Sequence, residues 1–235
     1  MNKEVPSKAV LLVGGKGTRL RPITYSIPKA LIDVNGKTIT EHLVELLKGH
    51  GVQEVVFSVG YLKEKIKDHF KTGENHGVKV SYIEEEDFLG TAGPLLLHKD
   101  NLNETFIAGN GDELKEIDIK EMYKFHKESG GLATLALTKV EDPTQYGVAD
   151  IDGNKIKRFV EKPSKEEAPS NLINAGFYIM EPEVIDLIKP GFCMLEQDVF
   201  PQLAEQGKLF GFPFSGKWFD VGTHERYEIA KREWK

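Results

Sequence analysis

The sequence contains one cysteine, Cys193, which excludes an internal disulfide, and its seven histidines include no Cys/His set at metal-ligand spacing. Long apolar runs are also missing. The opening MNKEVPSKAVLLVGG holds only a short one, which fits neither a secretory leader nor a membrane span. Positive charge is in deficit, with 31 Lys and Arg against 37 Asp and Glu, and the formal charge of −6 argues against duplex nucleic acid as a partner. Together these absences predict a cytoplasmic protein with no membrane or nucleic-acid partner. There is no repeat, no low-complexity tract and no dividing linker. At 235 residues and 40% hydrophobic, the chain can form a single domain over 1–235 with an ample core.

Strand and helix patterns alternate along the chain. Lys8 to Val13 reads as a buried parallel strand ending at Gly14. Thr38 with Glu41 forms a capping box, and Ile39, Leu43, Leu46 and Leu47 then recur at helical spacing as far as Gly49 to Gly51. Strands are expected at 53–59, 78–84, 104–108 and 132–140, and helices at 62–70, 92–98 and 119–128. This β, α, β, α order predicts an α/β fold with a mainly parallel sheet covered by helices. From Tyr146 onward YGVADI and KIKRFVE flank Asp152-Gly153, the signature of an antiparallel hairpin inserted into that sheet. NLINAGFYIM, KLFGFPF and GKWFDV read as strands, EPEVIDLI and EQDVFPQLAEQG as helices, and a last helix starts at Thr223.

Residues 14–29, GGKGTRLRPITYSIPK, are unusual for an acidic chain: four cations and three glycines at a strand's carboxyl end, with no acid before Asp33. The dinucleotide fingerprint does not fit, because Thr18-Arg19-Leu20 replaces its third glycine and the strand at 53–59 ends in Gly60 rather than an acid. The P-loop fails for want of its Lys-Ser/Thr pair. What remains is the physics common to both. Gly14, Gly15 and Gly17 let backbone N–H groups, that of Thr18 included, surround phosphate oxygens. Arg19 adds a planar fork and Lys29 a point charge. An ordinary basic surface turn is the plain alternative. Asp112 and Asp220, each at a predicted strand end, read either as turn acids or as a pair that could hold Mg²⁺. Asp150-Ile-Asp152 matches a metal-binding DxD only superficially, because Asp152 begins the hairpin turn.

GGKGTRLRPIT, PKALIDVNGKTITEHLVELL, LGTAGP, NGDEL, YGV, VEKP, NAGFYI and EQDVFPQLAEQGKLFGFPFSGKWFDVGTHERY follow one another over nearly the whole chain. In this order they resemble the sugar-1-phosphate nucleotidyltransferases, or NDP-sugar pyrophosphorylases, and the resemblance implies a Rossmann-like α/β domain whose mixed, mainly parallel sheet is flanked by helices and carries antiparallel hairpin insertions. The resemblance implies Mg²⁺ on Asp112 and Asp220, with Glu113 a weaker candidate, and a cation, Lys162, on the sugar phosphate. It also implies sugar contacts from Gly147, Glu161 and Asn174, and nucleotide contacts from Gly90, Thr91 and Asn110. The substrates would be an NTP and a sugar-1-phosphate, with GTP and mannose-1-phosphate or a related hexose or heptose phosphate as the expected pair. Uridylyl or thymidylyl transfer is the alternative, and a non-catalytic nucleotide-sugar-binding regulator is the alternative of another class. The chain ends soon after WFDVGT, so no C-terminal β-helix domain is expected; a homo-oligomer is possible on this reading. Ala30 departs from the family's usual second proline after the lysine.

Overall fold

The computed structural model describes residues 4–235; the first three residues of the opening segment lie outside the described residues. In chain order the elements begin with β1 (Lys8–Leu12), β2 (Asp33–Val34), β3 (Lys37–Thr38), α1 (Ile39–His50), β4 (Glu54–Val59), α2 (Lys63–Phe70) and β5 (Lys79–Glu84). Next come α3 (Gly93–Leu97), β6 (Phe106–Asn110), β7 (Glu113–Lys115), α4 (Ile119–Ser129), β8 (Ala133–Lys139), β9 (Gly147–Asp152) and β10 (Lys155–Glu161). The last are β11 (Leu172–Met180), α5 (Phe200–Glu205), β12 (Leu209–Pro213), β13 (Trp218–Asp220) and α6 (His224–Glu233). The class is the expected mixed α/β. The chain divides into two compact units. A glycine-loop unit comprises Ser7–Phe88, Gly109–Ile117 and Gly216–Lys235; a hairpin unit contains Leu89–Ala108 and Asp118–Ser215 with the described residues before Ser7.

In the glycine-loop unit β1, β4 and β5 form a parallel sheet with β4 central, pairing Val10 with Val56 and Val55 with Val80. Near-continuous apolar runs are what such a strand needs when helices cover both faces. The capping box of α1 forms as expected. Thr38 Oγ1 accepts from the Glu41 N–H at 3.2 Å, the Glu41 carboxylate accepts from the Thr38 N–H at 2.7 Å, and Gly51 in the left-handed region (φ 100°) ends the helix. Its buried face is Ile39, Leu43, Val44 and Leu47, so Val44 takes the place expected for Leu46. The chain terminus is fastened into the same core. Tyr227 Oη donates to the Asp33 carbonyl at 2.8 Å and Trp234 Nε1 to His42 Nδ1 at 3.2 Å, while Trp234 packs with Leu20, Ile32, Val34, Ile39, Leu114 and Val221. The short β13 pairs antiparallel with β7, setting Asp220 opposite Glu113.

In the hairpin unit the strand order is β11-β8-β12-β10-β9; β8 and β12 are parallel and the other neighbours antiparallel. The hairpin turn falls one residue later than read, at Gly153-Asn154 with Gly153 at φ 58°, because Asp152 still pairs with Lys155. Asp152 also pairs with Lys157 at 3.0 Å in solvent, an ordinary surface contact. EPEVIDLI forms only a 3-10 segment, Pro182–Leu187. LEQDV forms a single wide π turn, Leu195–Val199, before α5. Here Asp198 accepts from the Met194 N–H at 2.7 Å, and the turn carries Glu196 inward, where it is buried. No helix among the described residues is long and apolar enough to cross a membrane.

Candidate active site

The glycine loop leaves β1 under tight steric control. A Cβ on Gly14 would stand 3.1 Å from the Gly60 nitrogen and 3.2 Å from Glu85 Oε1, and one on Gly17, at φ 57°, would stand 2.9 Å from Thr24. Thr24 Oγ1 donates to the Gly17 carbonyl at 2.8 Å, which holds the turn. Thr18, Arg19 and Leu20 form a 3-10 turn that buries Leu20 in the core and leaves Thr18 and Arg19 exposed. Arg21 stacks over Tyr25, 4.9 Å from the ring centre, so this prominent cation is already engaged. Gly14, Gly15, Lys16, Gly60, Tyr61 and Glu85 line a cavity of about 560 Å³, with Glu86, Asp87 and Phe88 completing it. Its size suits a nucleoside-scale ligand. Ser58 Oγ donates to Glu85 Oε1 at 2.5 Å. Glu85 is absent from the sequence-derived site. The acidic run EEED, one residue before LGTAGP, was the available signal.

Beside the loop lies a charged centre. Lys29 Nζ, on a side chain only 11% exposed, is 2.9 Å from Asp112 Oδ2 and 3.4 Å from Asp220 Oδ1. Arg226 Nη1 donates to the other Asp220 oxygen at 2.6 Å. Burial alone would push the Lys29 ammonium toward deprotonation, but the charges of Asp112 and then Asp220 outweigh it and hold the pKa above the ordinary lysine value. Two acids 108 positions apart in sequence thus converge on one cation (220 − 112). These are hard oxygen donors aimed at one positive centre, the donor chemistry that Mg²⁺ requires. Glu113 is placed differently. Buried, it accepts from Asn110 Nδ2 at 2.7 Å, Trp218 Nε1 at 3.1 Å and Lys115 Nζ at 3.2 Å. Burial pushes its pKa up, with Lys115 opposing. Three donors on one carboxylate make Glu113 an anchor beneath Asp112, and they commit the amide of Asn110. A Cβ on Gly222 would stand 2.9 Å from both Asp220 oxygens and 3.2 Å from Arg19 Nη2, so a side chain there would press on the acid and on the guanidinium of Arg19. Gly222, Lys115 and Arg226 were invisible as site residues until β13 and β7 were paired.

The hairpin unit carries a second polar cluster. Asn174 Nδ2 donates to Tyr178 Oη at 2.8 Å, Tyr178 Oη to Glu196 Oε1 at 3.4 Å, and Thr91 Oγ1 to Glu196 Oε2 at 2.5 Å. Thr91 Oγ1 also accepts from the Leu195 N–H at 2.8 Å, so its hydroxyl is turned inward. Gly90, at φ 79°, is locked against the backbone at Cys193, since a Cβ there would stand 2.4 Å from the Cys193 carbonyl oxygen. A Cβ on Gly147 would meet Phe159 at 2.3 Å and Glu161 Oε2 at 2.9 Å, so this glycine makes room for Glu161. At the end of β10 Lys162 sits in the left-handed region (φ 47°) with its side chain 66% exposed and Nζ 3.3 Å from Glu161 Oε1. Asn174, Tyr178, Glu196 and Thr91 are therefore one hydrogen-bonded group, in which Tyr178 and Glu196 are additions to the sequence reading, and Glu161 lies near enough for its charge to act on Glu196.

Glu196 gives a test of stability. Burial pushes its carboxyl pKa up, Thr91 opposes, and Glu161 adds to the rise. A carboxyl whose folded pKa lies above the unfolded one lowers stability as pH rises between the two values. Glu196→Gln is therefore expected to melt above wild type at pH 8. The gap should close as pH falls to about 4.3, the ordinary glutamate value. Melting curves across that range check it; a gap independent of pH would contradict the assignment.

With this geometry in hand, comparison with known proteins is informative. Residues 8–234 match the family described as nucleotidyl transferase. The chain belongs to this family. Among curated nucleotidyl transferases it is 41% identical over 221 residues to the mannose-1-phosphate guanylyltransferase catalytic subunit beta of Xenopus tropicalis, covering 92% of this chain and 61% of that protein. It is 43% identical over 222 residues to the mannose-1-phosphate guanyltransferase of Saccharomyces cerevisiae, with the same two coverages, 92% and 61%. The chain thus spans about three-fifths of the length of these relatives. Among solved structures, HddC from Yersinia pseudotuberculosis is 30% identical with a TM-score of 0.81, covering 97% of this chain and 100% of that one. A UDP-glucose pyrophosphorylase complexed with UDP-glucose is 26% identical with a TM-score of 0.85, covering 97% and 98%.

Proposed function

We propose that this nucleotidyl transferase couples an NTP to a sugar-1-phosphate, releasing pyrophosphate, with GTP and mannose-1-phosphate as the favoured pair. The observation that carries the reading is the convergence of Asp112 and Asp220 on Lys29 next to a glycine loop that carries Arg19. The names of the relatives support the substrate choice. In the reaction an oxygen of the sugar phosphate attacks the α-phosphorus in line, a new P–O bond forms, and the bond to the pyrophosphate oxygen breaks. No general base is required, since a phosphate monoester with a second pKa near about 6 is already largely deprotonated. Repulsion between anions is the obstacle, and positioned cations are the remedy. Lys29 neutralises charge on the triphosphate, Arg19 takes the departing pyrophosphate, and Lys162 holds the nucleophile. Asp112 and Asp220 would hold Mg²⁺, which supplies further charge neutralisation between phosphates. Glu161 and Asn174 select sugar hydroxyls, because an analogue lacking one leaves them unpaired.

The base is assigned to the cavity above Gly14 and Gly15, beside Glu85. A carboxylate only accepts hydrogen bonds. Guanine offers it two adjacent donors, the ring N–H and the exocyclic amine, whereas uracil and thymine offer one donor flanked by two carbonyls. Glu85→Gln is expected to lower kcat/KM for GTP about 10-fold or more and to narrow its lead over UTP. An unchanged GTP:UTP ratio would remove Glu85 from base selection. The reaction itself is tested by pyrophosphate release from four NTPs against several sugar-1-phosphates. Release is expected only with both substrates present. No release from any pair of substrates, with a sugar nucleotide still bound, would replace the enzyme by a binding protein.

A further inference from the structure

The sequence offers no histidine pair at metal-ligand spacing along one element, yet folding creates one. Glu41 lies in the first turn of α1, His69 in the last turn of α2, and His76 closes the short 3-10 segment Glu74–His76. One donor atom from each lies within 4.8 Å of the other two. His69 Nε2 is 3.1 Å from Glu41 Oε1. The two imidazoles have ring centres 5.8 Å apart, and that of His76 packs 4.8 Å from the ring of Phe70.

From these contacts we propose that Glu41, His69 and His76 form a binding site for a divalent transition metal, zinc in the first instance, with at least one coordination position open to solvent. Zinc bonds to nitrogen and oxygen ligands of about 2.0–2.2 Å put tetrahedral neighbours roughly 3.3 Å apart. The Glu41–His69 separation is close to this already. Two imidazoles directed at one carboxylate repel if both are protonated, whereas as neutral rings they make a ligand pair. The donor set mixes nitrogen with a single carboxylate, which favours zinc over Mg²⁺ or Ca²⁺.

The surrounding structure holds these donors in place. The second oxygen of Glu41 is fixed by the Thr38 N–H at 2.7 Å, so the first is oriented toward His69, as outer hydrogen bonds orient metal-binding carboxylates. His76 is carried on a turn closed by the His76 N–H to the Gly73 carbonyl at 2.9 Å and by the Val78 N–H to the same carbonyl at 3.3 Å. Gly73 (φ 84°) is fitted so closely that a Cβ would stand 2.2 Å from the Val78 carbonyl oxygen. A metal here would clip α1 to α2 and to the loop after it. All three ligands lie within Ser7–Phe88 of the glycine-loop unit, and none belongs to the phosphate machinery.

The test is zinc titration of the intact chain by calorimetry, without nucleotide and with millimolar Mg²⁺ present to satisfy Asp112 and Asp220. One equivalent is expected to bind at micromolar or tighter affinity and to raise the melting temperature. His69→Gln, His76→Gln and Glu41→Gln, the last keeping the cap acceptor, should each weaken binding about 10-fold or more. Each should fold normally without metal, as circular dichroism would verify, and each should retain pyrophosphate release if the wild type has it. With cobalt in place of zinc, visible absorption bands of a four- or five-coordinate ion should appear in the wild type and vanish in His69→Gln/His76→Gln. Zinc affinity unchanged in that double variant, or no binding below millimolar concentration, would overturn the proposal.

Discussion

Lys162→Ala is expected to lower turnover about 100-fold or more, the scale on which a cation stabilising transition-state charge is felt, while thermal stability stays at or above wild type. The two halves of this expectation have separate causes. The Lys162 side chain is largely in solvent, and its contact with Glu161 at 3.3 Å is an exposed pair of the kind that adds little to stability. Its backbone, however, is left-handed at φ 47°, held by the Lys162 N–H to the Tyr146 carbonyl at 3.0 Å. A side chain in that region costs about 1–2 kcal/mol. A strained lysine that contributes little to the fold is best explained by its work on a ligand. Lys162→Gly therefore separates the effects: it relieves the backbone, so melting should rise, yet activity should be as poor as for alanine. Steady-state rates with varied sugar phosphate and melting curves decide it. A near wild-type rate for either variant would remove Lys162 from the reaction.

The second large effect is expected at Lys29. Lys29→Met leaves Asp112 and Asp220 without their shared cation in a place where the Lys29 and Asp220 side chains are 11% and 12% exposed. Removing one partner of a buried pair typically costs about 3–5 kcal/mol, and the partial exposure of Asp112, 29%, sets the expectation at the lower end. Turnover of the folded fraction should fall at least about 100-fold as well. Adding Asp112→Asn removes the charge that has lost its nearest cation, whereas Asp220 keeps Arg226. The double variant should therefore regain stability but not activity, a coupling that denaturant unfolding measures directly. Stability lost with turnover of the folded fraction intact would make Lys29 purely structural.

Much of this was legible from sequence where the signal is local. The capping box at Thr38 and Glu41, the hairpin around Gly153 and the glycine loop are encoded within a few residues, and all form. Arg19 and Lys29 could be singled out because cations cluster where an acidic chain should have none. Asp112 and Asp220 needed the family resemblance, since an acid at a strand end is ambiguous by itself. What could not be read depends on tertiary pairing. Lys29 meets Asp220 across 191 positions, and Thr91 meets Glu196 across 105. Glu196 was concealed for a further reason: EQDV reads as the start of a helix, but it lies in a wide π turn that aims the acid inward. Likewise His69 and His76 share no periodic face, because the turn at Gly73 reverses the chain between them.

The interleaving of the two units bears on how this protein can be dissected. Ser7–Phe88 has the glycine loop and Lys29, but Asp112 arrives with Gly109–Ile117 and Asp220 with Gly216–Lys235. No single cut of the gene yields the glycine-loop unit whole. Any truncation from either end removes one of these stretches before the unit is reduced to its core, so a loss of activity on truncation would not say which residue is responsible; point substitutions are the informative route.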